Sequence, residues 1–410
     1  MKVLALNCGS SSLKYQLFEW DNQSVISKGA MDRIGEKASV FSHDGKKDDC
    51  SLPNHVQAIE LLLQTLQKEG VVASVTDINV VAHRVVHGGQ QFAKSVLITD
   101  EVVSAIRELS FLAPLHNPAN LDGIEAARKG MPNVPQVAVF DTAFHQTMPD
   151  YAYRYALPAE WYDKFRVRRY GFHGTSHLYV SKRAAKMLGK PASACNIITL
   201  HVGNGVSVAA IRNGVSVDTS MGMTPLEGAI MGTRCGDIDA SIPIFMQDLT
   251  KRSAKEVYDD MNKRSGMLGI TAGRYTDRRD IEKFAADGDE QCKLAMEMEC
   301  YKLKQYIGKY MATLGTVDAI VFTAGVGENS PTIRGITTSG LEALGIKLDK
   351  AINEKTYGYK DCGDVQISAA DSKIKVFVIP TNEEIVLVED AIGVLKGTYA
   401  DHMNYQYSFL

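Results

Sequence analysis

The chain has 410 residues, which favours two or three domains because a single hydrophobic core seldom serves more than about 300 residues. Hydrophobic residues make up 45% and charged residues 23%, as in soluble globular proteins, and the formal charge of −3 gives no electrostatic basis for a nucleic-acid or membrane partner. The seven cysteines show no Cys-x-x-Cys spacing, and no stretch has the length of a signal peptide or a membrane span. We therefore predict a cytoplasmic protein without a disulfide framework or structural zinc.

The first stretch, residues 3–17, predicts a strand, a polar turn and a returning strand. A short apolar run suits a buried strand, and Gly9 with the three serines after it supplies turn chemistry. Lys14 lies two residues beyond the last serine, so backbone N–H groups, hydroxyls and an ammonium group together can bind a phosphate. A plain hairpin whose serines face water explains the same residues equally well.

Strands and helices follow in the rest of the first half. A third strand is expected at residues 24–30, and residues 35–53 are a polar, glycine-containing stretch to which we assign no element. Asn117 is expected to cap the helix at 118–129, with Pro118 at its first position and Gly130 past its end. The predicted elements after residue 53 are a helix at 54–68, a strand at 78–82, helices at 99–109 and 118–129, and a strand at 135–140.

The second half repeats this plan. Its first strands are joined by residues 203–205 and by the hairpin signal Asn213-Gly214, and Ser253 with Glu256 forms a capping box. The order of three strands, helix, strand, helix, strand, helix thus occurs twice, which predicts an α/β fold of two duplicated βββαβαβα domains with helix-covered mixed sheets. The predicted elements are strands at 196–202, 207–212, 215–218, 318–323 and 375–379, and helices at 253–263, through 294–307, at 331–343 and at 383–395.

Polar residues at the ends of the apolar strands are the clearest functional signal. Open α/β sheets form their ligand crevices at strand ends, so these residues predict a cleft lined by an amide, an arginine, a carboxylate and an imidazole. The first domain is expected at residues 1–148, completed by residues 383–410, and the second at 149–382, with residues 151–170 at the boundary. The polar turns of both domains are expected to face one nucleotide cleft. The strand-end residues are Asn7, Arg84, Asp141, His201, Gly325 and Thr381.

Two of these strand ends leave alternatives open. Residues 325–331 carry Gly-x-Gly between a strand and a helix, which suits either a close approach of a nucleotide to the backbone or a turn that needs glycine at positive φ. Thr381 is expected to cap the last helix, with Glu384 completing a capping box and Glu383 left to bind a metal or its waters. Glu383 can equally be a first-turn carboxylate that complements the helix dipole.

Two histidine pairs with a spacing of four residues raise a zinc hypothesis, at His83 and His87 and at His173 and His177. Neither pair has the glutamate of a His-Glu-x-x-His site, which disfavours that hypothesis. His173 and His116 each come just before a predicted helix start, where anions bind. Phosphate contact therefore fits these two histidines better than metal ligation.

Arg84 and Arg234 lie in glycine-bearing segments and offer planar guanidinium groups that match carboxylates and phosphates. Together they can hold a small carboxylate and a transferring phosphoryl group. The alternative for each is a structural ion pair, which Arg234 can form with Asp237 or Asp239.

Ordered motifs cover nearly the whole chain. They are NCGSSSLK (7–14), HRVVHGG (83–89), LHNP (115–118), FDTAFH (140–145), RYGFHGTSH (169–177), HVGNG (201–205), residues 218–239, DRR (277–279), GVGEN (325–329) and TNEE (381–384). In this order they resemble the motifs of the acetate kinase family, in the superfamily of acetate and sugar kinases, heat-shock chaperones and actin. The resemblance implies a ribonuclease H-like, actin-like ATPase fold in each domain.

The resemblance also implies a role for each matching residue. It implies catalysis by Asp141, His173 and Arg234; acyl-substrate binding by Arg84, with Val86, Leu115, Phe172 and Pro225 around the substrate methyl group; nucleotide binding by Lys14, His201, Val202, Gly203, Asn204, Gly205, Asp277, Arg278, Arg279, Gly325, Val326, Gly327, Glu328 and Asn329; Mg²⁺ association at Asn7 and Glu383; and accessory roles for Ser10, Ser12 and His116.

The implied reaction is reversible, Mg²⁺-dependent, in-line transfer of the γ-phosphoryl group of ATP to acetate, with Mn²⁺ able to replace Mg²⁺. The implied partners are acetate, ATP and a second copy of the chain, with no nucleic acid or membrane. The alternatives are propionate or another short-chain acid as acceptor, and an ATPase of the same superfamily without a small acceptor. Two departures from the family pattern are Cys8, where alanine is usual, and AGRYT at residues 272–276. The effect of the first on the first turn and the effect of the second on the edge contacts of the nucleotide stay open.

Overall fold

A computed structural model describes residues 1–114, 116–358 and 363–410. The strands are β1 (Lys2–Gly9), β2 (Ser12–Glu19), β3 (Ser24–Asp32), β4 (Ser39–His43), β5 (Lys46–Cys50), β6 (Ile78–Val85), β7 (Val96–Leu97), β8 (Gln136–Phe140), β9 (Asn196–Val202), β10 (Val206–Arg212), β11 (Val215–Thr219), β12 (Ala319–Thr323), β13 (Val365–Gln366) and β14 (Lys375–Val378). The helices are α1 (His55–Lys68), α2 (Asp100–Glu108), α3 (Asn117–Gly130), α4 (Asp150–Tyr153), α5 (Ala159–Phe165), α6 (Gly174–Met187), α7 (Ile242–Thr250), α8 (Ala254–Lys263), α9 (Gly266–Ile270), α10 (Arg278–Ala286), α11 (Glu290–Leu314), α12 (Ala324–Asn329), α13 (Pro331–Thr338), α14 (Lys350–Lys355) and α15 (Glu383–Leu395).

The first sheet joins an antiparallel half to a parallel half. Its order is β5-β4-β3-β2-β1-β6-β8-β7, in which successive strands from β5 to β1 are antiparallel, β1, β6 and β8 are parallel, and β7 is antiparallel to β8. The central β1 is apolar at successive positions because helices cover both of its faces. Leu4 and Leu6 share a core with α1 and α3, whereas Val3 and Ala5 share one with α15.

The second sheet repeats the central part of the first. Its order is β11-β10-β9-β12-β14-β13, with β9, β10 and β11 antiparallel and β12 and β14 parallel to β9. The strand order β3-β2-β1-β6-β8 of the first sheet therefore corresponds to the order β11-β10-β9-β12-β14 of the second sheet, with the same strand directions. The duplicated α/β order that the sequence predicts is confirmed.

The described residues divide into two compact units. The first comprises Met1–Gln146 with Asn382–Phe409, and the second comprises Thr147–Thr381. α15 belongs to the first unit, where its apolar side chains pack in one core with those of β1, β6 and β8. Within the residues that the structure describes, none of the helices combines the length and the apolar character needed to cross a bilayer.

Residues 35–53, to which the sequence analysis assigns no element, contain the β4–β5 hairpin. Phe41 of β4 is buried in the core of the first unit, and β5 is an edge strand of mostly charged, exposed residues. A hairpin with so few apolar residues lacks the alternating pattern from which strands are predicted, and charged edge strands are common because they prevent further strand pairing.

Some helix ends differ from prediction, and the predicted boundary segment contains helices. α3 begins at Asn117, so His116 and not Asn117 holds the cap position, and Gly130 is its last residue. The predicted helix at 331–343 ends at Thr338. Residues 151–170, predicted as a domain boundary, contain α5 and most of α4. The Asn117 side chain contacts another loop, which is why it does not cap its own helix.

Cys8, the departure in the first turn, is a core residue. Burial raises the pKa of its thiol to about 12, so the thiol stays protonated and is a poor nucleophile at neutral pH. Its sulfur faces Gly123 of α3, where an added Cβ would lie 2.3 Å from the sulfur. The cysteines of the described residues are free thiols, and Cys362 lies outside those residues.

We expect Gly123→Ala to lower the free energy of unfolding by about 1–3 kcal/mol, because the new methyl group overpacks against Cys8. In a Cys8→Ala background the same substitution should cost less, since the sulfur is gone. Gly308→Ala in α11 is the control: no atom lies within 4 Å of a Cβ there, so it should be neutral or stabilising. Urea unfolding of the four proteins in the double-mutant cycle measures the coupling. Equal costs of Gly123→Ala in both backgrounds would contradict the contact.

Candidate functional site

In the first unit, three side chains meet at the ends of neighbouring parallel strands. Asn7 lies near the end of β1, Arg84 near the end of β6, and Asp141 follows β8. Arg84 Nε donates to Asp141 Oδ1 at 2.9 Å, and Arg84 Nη2 donates to Asp141 Oδ2. Arg84 Nη1 also donates to Asn7 Oδ1 over 3.5 Å. The two-pronged contact with Asp141 fixes the plane of the guanidinium group.

A cavity of about 360 Å³ lies over this group. Lys14 pairs with Asn7 across β1 and β2, and the first turn of α15 brings Glu383 and Glu384. Asn7, Lys14, Arg84, Glu383 and Glu384 all line the cavity, whose wall does not include the predicted accessory residues of the first turn, Ser10 and Ser12.

Burial and charge act against each other in this cluster. Burial raises the pKa of the Asp141 carboxyl, and the Arg84 guanidinium opposes the rise. Burial by itself lowers the pKa of Arg84, but the charges of Asp141 and Glu383 outweigh it and raise that pKa above its ordinary value. Burial also raises the pKa of Glu384, and the charge of Glu383 adds to that rise. Arg84 is therefore a permanent cation beside carboxylates that favour a further positive charge.

The predicted cap of α15 is wrong. The Asn382 side chain, and not Thr381, accepts a hydrogen bond from the backbone N–H of Ile385 at 3.1 Å. Glu383 and Glu384 are thus the first two helical residues, and no capping box removes Glu384 from the cavity. Thr381 cannot cap the helix because its backbone N–H donates to Glu328 Oε1 and its hydroxyl bonds to another side chain of the second unit.

Asparagines of α3 anchor the loop that follows Arg84. Asn117 accepts from the backbone N–H of His87 at 3.1 Å and donates to its carbonyl at 3.0 Å. Asn120 accepts from the N–H of Val86 at 3.0 Å and donates to the carbonyl of Cys8 at 2.7 Å. The asparagines therefore tie the β6 loop to the first turn, a role that the sequence analysis missed.

The residues predicted around a substrate methyl group belong to different units. Val86 is half-buried in the first unit, and Phe172 (buried) and Pro225 (half-buried) belong to the second. Leu115 lies outside the described residues. His116 precedes α3, as predicted.

In the second unit, His173 and Arg234 lie beside Gly205. An added Cβ at Gly205 would lie 3.0 Å from Arg234 Nη2 and 3.3 Å from His173 Nε2. His173 takes the cap position of α6 with a left-handed φ of 55°, a strained conformation for a residue other than glycine. Its ring stacks on His201, with 4.0 Å between centroids. The imidazole of His173 and the guanidinium of Arg234 therefore border one small space at the turn after β9.

Arg234 does not form a structural ion pair with Asp237 or Asp239, the alternative that the sequence leaves open. Within the described residues it has no carboxylate at salt-bridge distance, and its Nη1 donates to the carbonyl of Pro225 at 2.6 Å. Asp237 instead accepts from the N–H of Gly228 at 2.8 Å and from the hydroxyl of Tyr306 at 2.7 Å. Burial lowers the pKa of Arg234, as expected for a cation without a paired anion.

A larger cavity, of about 900 Å³, lies elsewhere in the second unit, a size in the range of small-molecule and cofactor sites. Three predicted nucleotide segments converge on it, although they are more than 40 residues apart in sequence. Of the predicted residues, His201, Val202, Gly205, Gly327 and Glu328 do not line it. Those that do are Gly203, Asn204, Asp277, Arg278, Arg279, Gly325, Val326 and Asn329, joined by the unpredicted Thr276, Glu282, Ser330 and Tyr357.

The Gly-x-Gly segment is a short helix, α12, and not a loop. The residue with a left-handed conformation is Ala324, with φ 65°, whereas Gly325 and Gly327 have ordinary helical φ values. The alternative in which this turn needs glycine at positive φ is therefore wrong. No atom lies within 4 Å of a Cβ added at Gly325, which leaves that backbone open to the cavity. Two arginines of the cavity wall are already paired, Arg278 with the buried Glu299 and Arg279 with Asp277, which lines the same cavity.

The histidine pairs have hydrogen-bonding partners within the protein. His83 Nε2 lies 2.8 Å from Gln136 Oε1, and burial lowers the pKa of His83 to about 4, so it is neutral. His87 Nδ1 accepts from the N–H of Gly89 at 2.9 Å. His177 contacts two hydroxyl groups. Each of the four histidines thus has at least one hydrogen-bonding partner within the protein.

Known proteins of one family are similar to this chain over nearly its whole length. The model of the acetokinase family matches residues 2–389. The chain belongs to the acetokinase family. It is 56% identical over 418 residues to an acetate kinase of Geobacter metallireducens, covering 100% of this chain and 98% of that protein. It is 54% identical over 402 residues to an acetate kinase of Thermotoga maritima, covering 97% and 99%.

Solved structures of acetokinases confirm the fold. Porphyromonas gingivalis acetate kinase matches with a TM-score of 0.91 and 45% identity, covering 96% of this chain and 99% of that one. A propionate kinase from Francisella tularensis matches with a TM-score of 0.88 and 40% identity, over 96% and 99%. The protein is thus a member of a kinase family with two duplicated α/β units of the actin-like ATPase type.

The acetokinase motifs do not include Arg334, a fully buried residue of α13. Its Nη1 donates to the carbonyls of Gly327 and Glu328, both at 2.9 Å. Its Nη2 donates to the carbonyls of Asn353 at 3.0 Å and Thr356 at 2.8 Å, and its Nε donates to Asn353 Oδ1 at 2.8 Å. Burial lowers its pKa to about 10, so it remains charged at neutral pH. Arg334 therefore holds the end of α12 to the end of α14, beside the larger cavity.

Arg334→Met should lower the free energy of unfolding by at least about 4 kcal/mol, because five buried acceptors lose their donors at once. Arg334→Lys should lie between the wild type and Arg334→Met, since an ammonium group has fewer donors. The control, Arg107→Met, breaks only an exposed ion pair with Glu125 and should change stability by less than about 1 kcal/mol. Urea unfolding is the measurement, and equal effects of Arg334→Met and Arg107→Met would disprove this role.

Proposed function

We propose that the protein transfers the γ-phosphoryl group of ATP reversibly to acetate, giving acetyl phosphate and ADP. The observation that carries the proposal is Arg84, a permanent cation held in one plane by Asp141 at a cavity, because a planar guanidinium matches a small carboxylate. The large cavity of the second unit supports ATP as the donor. Similarity to acetate kinases at 51–56% identity supports acetate as the acceptor.

The reaction needs no nucleophilic side chain and no general base, because a carboxylate is already an oxyanion. A carboxylate oxygen of acetate forms a bond to the γ-phosphorus while the bond from that phosphorus to the β,γ-bridging oxygen breaks. The electron pair of the broken bond leaves with ADP. The protein therefore contributes positioning and neutralisation of charge, which arginines and a histidine supply.

In the first unit, Arg84 binds the carboxylate of acetate. Both Asp141 oxygens accept hydrogen bonds from Arg84, so Asp141 acts by holding that guanidinium in the plane that acetate requires. Lys14 lines the same cavity and contributes a positive charge to a phosphate. His116 and the serines of the first turn remain accessory in this proposal, since none of them lines the cavity.

Asn7 and Glu383 would hold the Mg²⁺ ion. Their amide and carboxylate oxygens are the hard ligands that Mg²⁺ prefers, and Glu384 adds a second carboxylate to the cavity, so the donor set fits the ion. Mn²⁺ accepts the same ligands. When bound, the ion neutralises phosphate charge.

In the second unit, His173 and Arg234 stabilise the transferring phosphoryl group. Both lie beside Gly205, which lacks a side chain that would fill the space between them. Arg234 has no carboxylate partner in the described chain, so its charge is available to an anion. The nucleotide occupies the cavity between residues 203–204, 276–279 and 325–329.

Acetate is the preferred acid in this proposal, since Val86 leaves less room for a longer chain than a smaller residue would. One methylene group is worth only about 1–3 kcal/mol of discrimination, so propionate is a slower substrate. The 40% identity to a propionate kinase favours propionate as a second substrate. An ATPase without an acceptor does not require Arg84 and Arg234. The free thiols of the described cysteines support a cytoplasmic location.

We expect the wild type to form acetyl hydroxamate from ATP, Mg²⁺, acetate and hydroxylamine, with kcat/KM falling from acetate to propionate to butyrate. Arg234→Ala should reduce kcat by at least about 100-fold, because it removes a donor to the developing charge. Arg264→Ala is the matched control, since Arg264 is an exposed arginine of the same unit that pairs with Asp260.

ATP hydrolysis without hydroxamate would reject the transferase proposal in favour of an ATPase. Equal kcat/KM for acetate and butyrate would reject acetate selectivity, and near-normal turnover of Arg234→Ala would reject the role of that residue alone.

We also propose that the protein is a homodimer through α7. This helix exposes the apolar side chains of Ile242, Ile244, Phe245 and Leu249, the last three each more than 60%, and the spacing of Ile242, Phe245 and Leu249 places these three on one helix face. Monomeric proteins rarely expose so large an apolar patch. A second copy of the chain is the occupant that the resemblance to acetate kinases implies.

Light scattering after gel filtration should give about twice the chain mass of 44.9 kDa for the wild type. Phe245→Glu with Leu249→Glu should give the monomer mass, because two charges would be buried in the interface. Phe111→Glu, at an exposed phenylalanine of the first unit, should leave the dimer intact. A wild-type monomer, or a dimer that survives the α7 substitutions, would refute this interface.

A further inference from the structure

A chain of hydrogen bonds runs from the middle of β9 to the ring of His173. Thr199 and His201 share one face of β9, and Ser207 of β10 pairs with His201 on that face. α6 packs on the same strand and brings His177 over it. Thr199 Oγ1 lies 2.6 Å from His177 Nδ1, His177 Nε2 lies 2.7 Å from Ser207 Oγ, and Ser207 Oγ lies 2.8 Å from His173 Nδ1.

The direction of this chain follows from the hydrogens available. The Thr199 hydroxyl is fully buried, and within residues 1–114, 116–358 and 363–410 its oxygen has a single hydrogen-bond partner, His177 Nδ1. A buried hydroxyl hydrogen without an acceptor is strongly destabilising, so Thr199 donates to that nitrogen. The neutral His177 ring then carries its hydrogen on Nε2.

The same count of hydrogens applies to the contact between His177 and Ser207. His177 Nε2 donates to Ser207 Oγ. Ser207 is also fully buried, and its single hydroxyl hydrogen is left to donate to His173 Nδ1. Because Nδ1 of His173 is an acceptor, the hydrogen of that neutral ring lies on Nε2.

His173 Nε2 is the ring nitrogen on the side of Gly205, where Arg234 also lies. A Cβ added at Gly205 would lie 3.3 Å from this nitrogen and 3.0 Å from Arg234 Nη2. The space that the absent side chain leaves is therefore bordered by an N–H donor and by a guanidinium group. Two such donors at one small space suit an anion.

We propose that Thr199, His177 and Ser207 are positioning residues that hold neutral His173 in the tautomer with its hydrogen on Nε2, facing the space shared with Arg234. The anion is the transferring phosphoryl group, so the inference rests on the proposed phosphoryl transfer. An N–H donor there stabilises charge that develops on a phosphoryl oxygen. The opposite tautomer presents a lone pair to that oxygen and repels it.

Two pairs of variants test the chain of hydrogen bonds by kinetics. Thr199→Val and Ser207→Ala remove a hydroxyl, and we expect kcat to fall about two- to tenfold and about tenfold respectively, with both KM values within about twofold of wild type. Thr199→Ser and Ser207→Thr keep the hydroxyl and should restore at least about half of kcat. Thermal unfolding confirms that each variant is folded. Unchanged kcat in folded Thr199→Val and Ser207→Ala would overturn the proposal.

Nitrogen-15 spectra of histidine-labelled protein read the tautomer directly. In the wild type, the signals that vanish in His173→Asn should show a protonated Nε2 and an unprotonated Nδ1, and Thr199→Val should populate the opposite tautomer. A proton on Nδ1 of wild-type His173 would refute the proposal. If Ser207→Ala does not fold, Thr199→Val and the wild-type spectrum decide. If the wild type makes no acetyl hydroxamate, the proposed function fails, whereas the spectrum still tests the tautomer.

Discussion

Both units depend on one constraint, which is that parallel strands of a sheet end at the same edge. In the first unit this edge brings Asn7, Arg84 and Asp141 together from β1, β6 and the residue after β8, although they are far apart in sequence. In the second unit, β9 and β12 end side by side, and the turn after β9 and the helix after β12 both border the larger cavity. Each of the two sheets thus presents different side chains at equivalent strand ends, in the positions where open α/β sheets form ligand crevices.

The two candidate arginines differ in how their charge is balanced. Arg84 has an internal anion, Asp141, which raises its pKa and fixes its plane. Arg234 has no such anion in the described chain, and burial lowers its pKa. A buried cation without a partner is unfavourable in the free protein, and an anionic ligand removes that penalty. The contrast suits one arginine that binds a carboxylate in a fixed plane and another that responds to charge on a phosphoryl group.

Residues without any reactive role hold these sites in place. Asn120 ties the β6 loop to the first turn, Arg334 ties α12 to the end of α14, and Gly123 leaves room for Cys8 behind the first turn. Each of these three residues is buried. A site built on loops and strand ends needs such support, because displacements of about 1 Å already reduce catalysis.

The amino-acid sequence by itself determined the α/β class, the duplication, most element positions and three segments that border the larger cavity. These properties depend on local periodicity, on turn and cap residues, and on motifs that are continuous in the chain. The sequence did not reveal the β4–β5 hairpin or the helical form of residues 324–329, since neither has the expected local pattern. Only the tertiary structure decided that Asn382 caps α15, that Arg234 has no ion pair among the described residues and that Thr199 contacts His177. These facts depend on which distant groups compete for each hydrogen bond, and that competition is settled only when the strands and helices pack together.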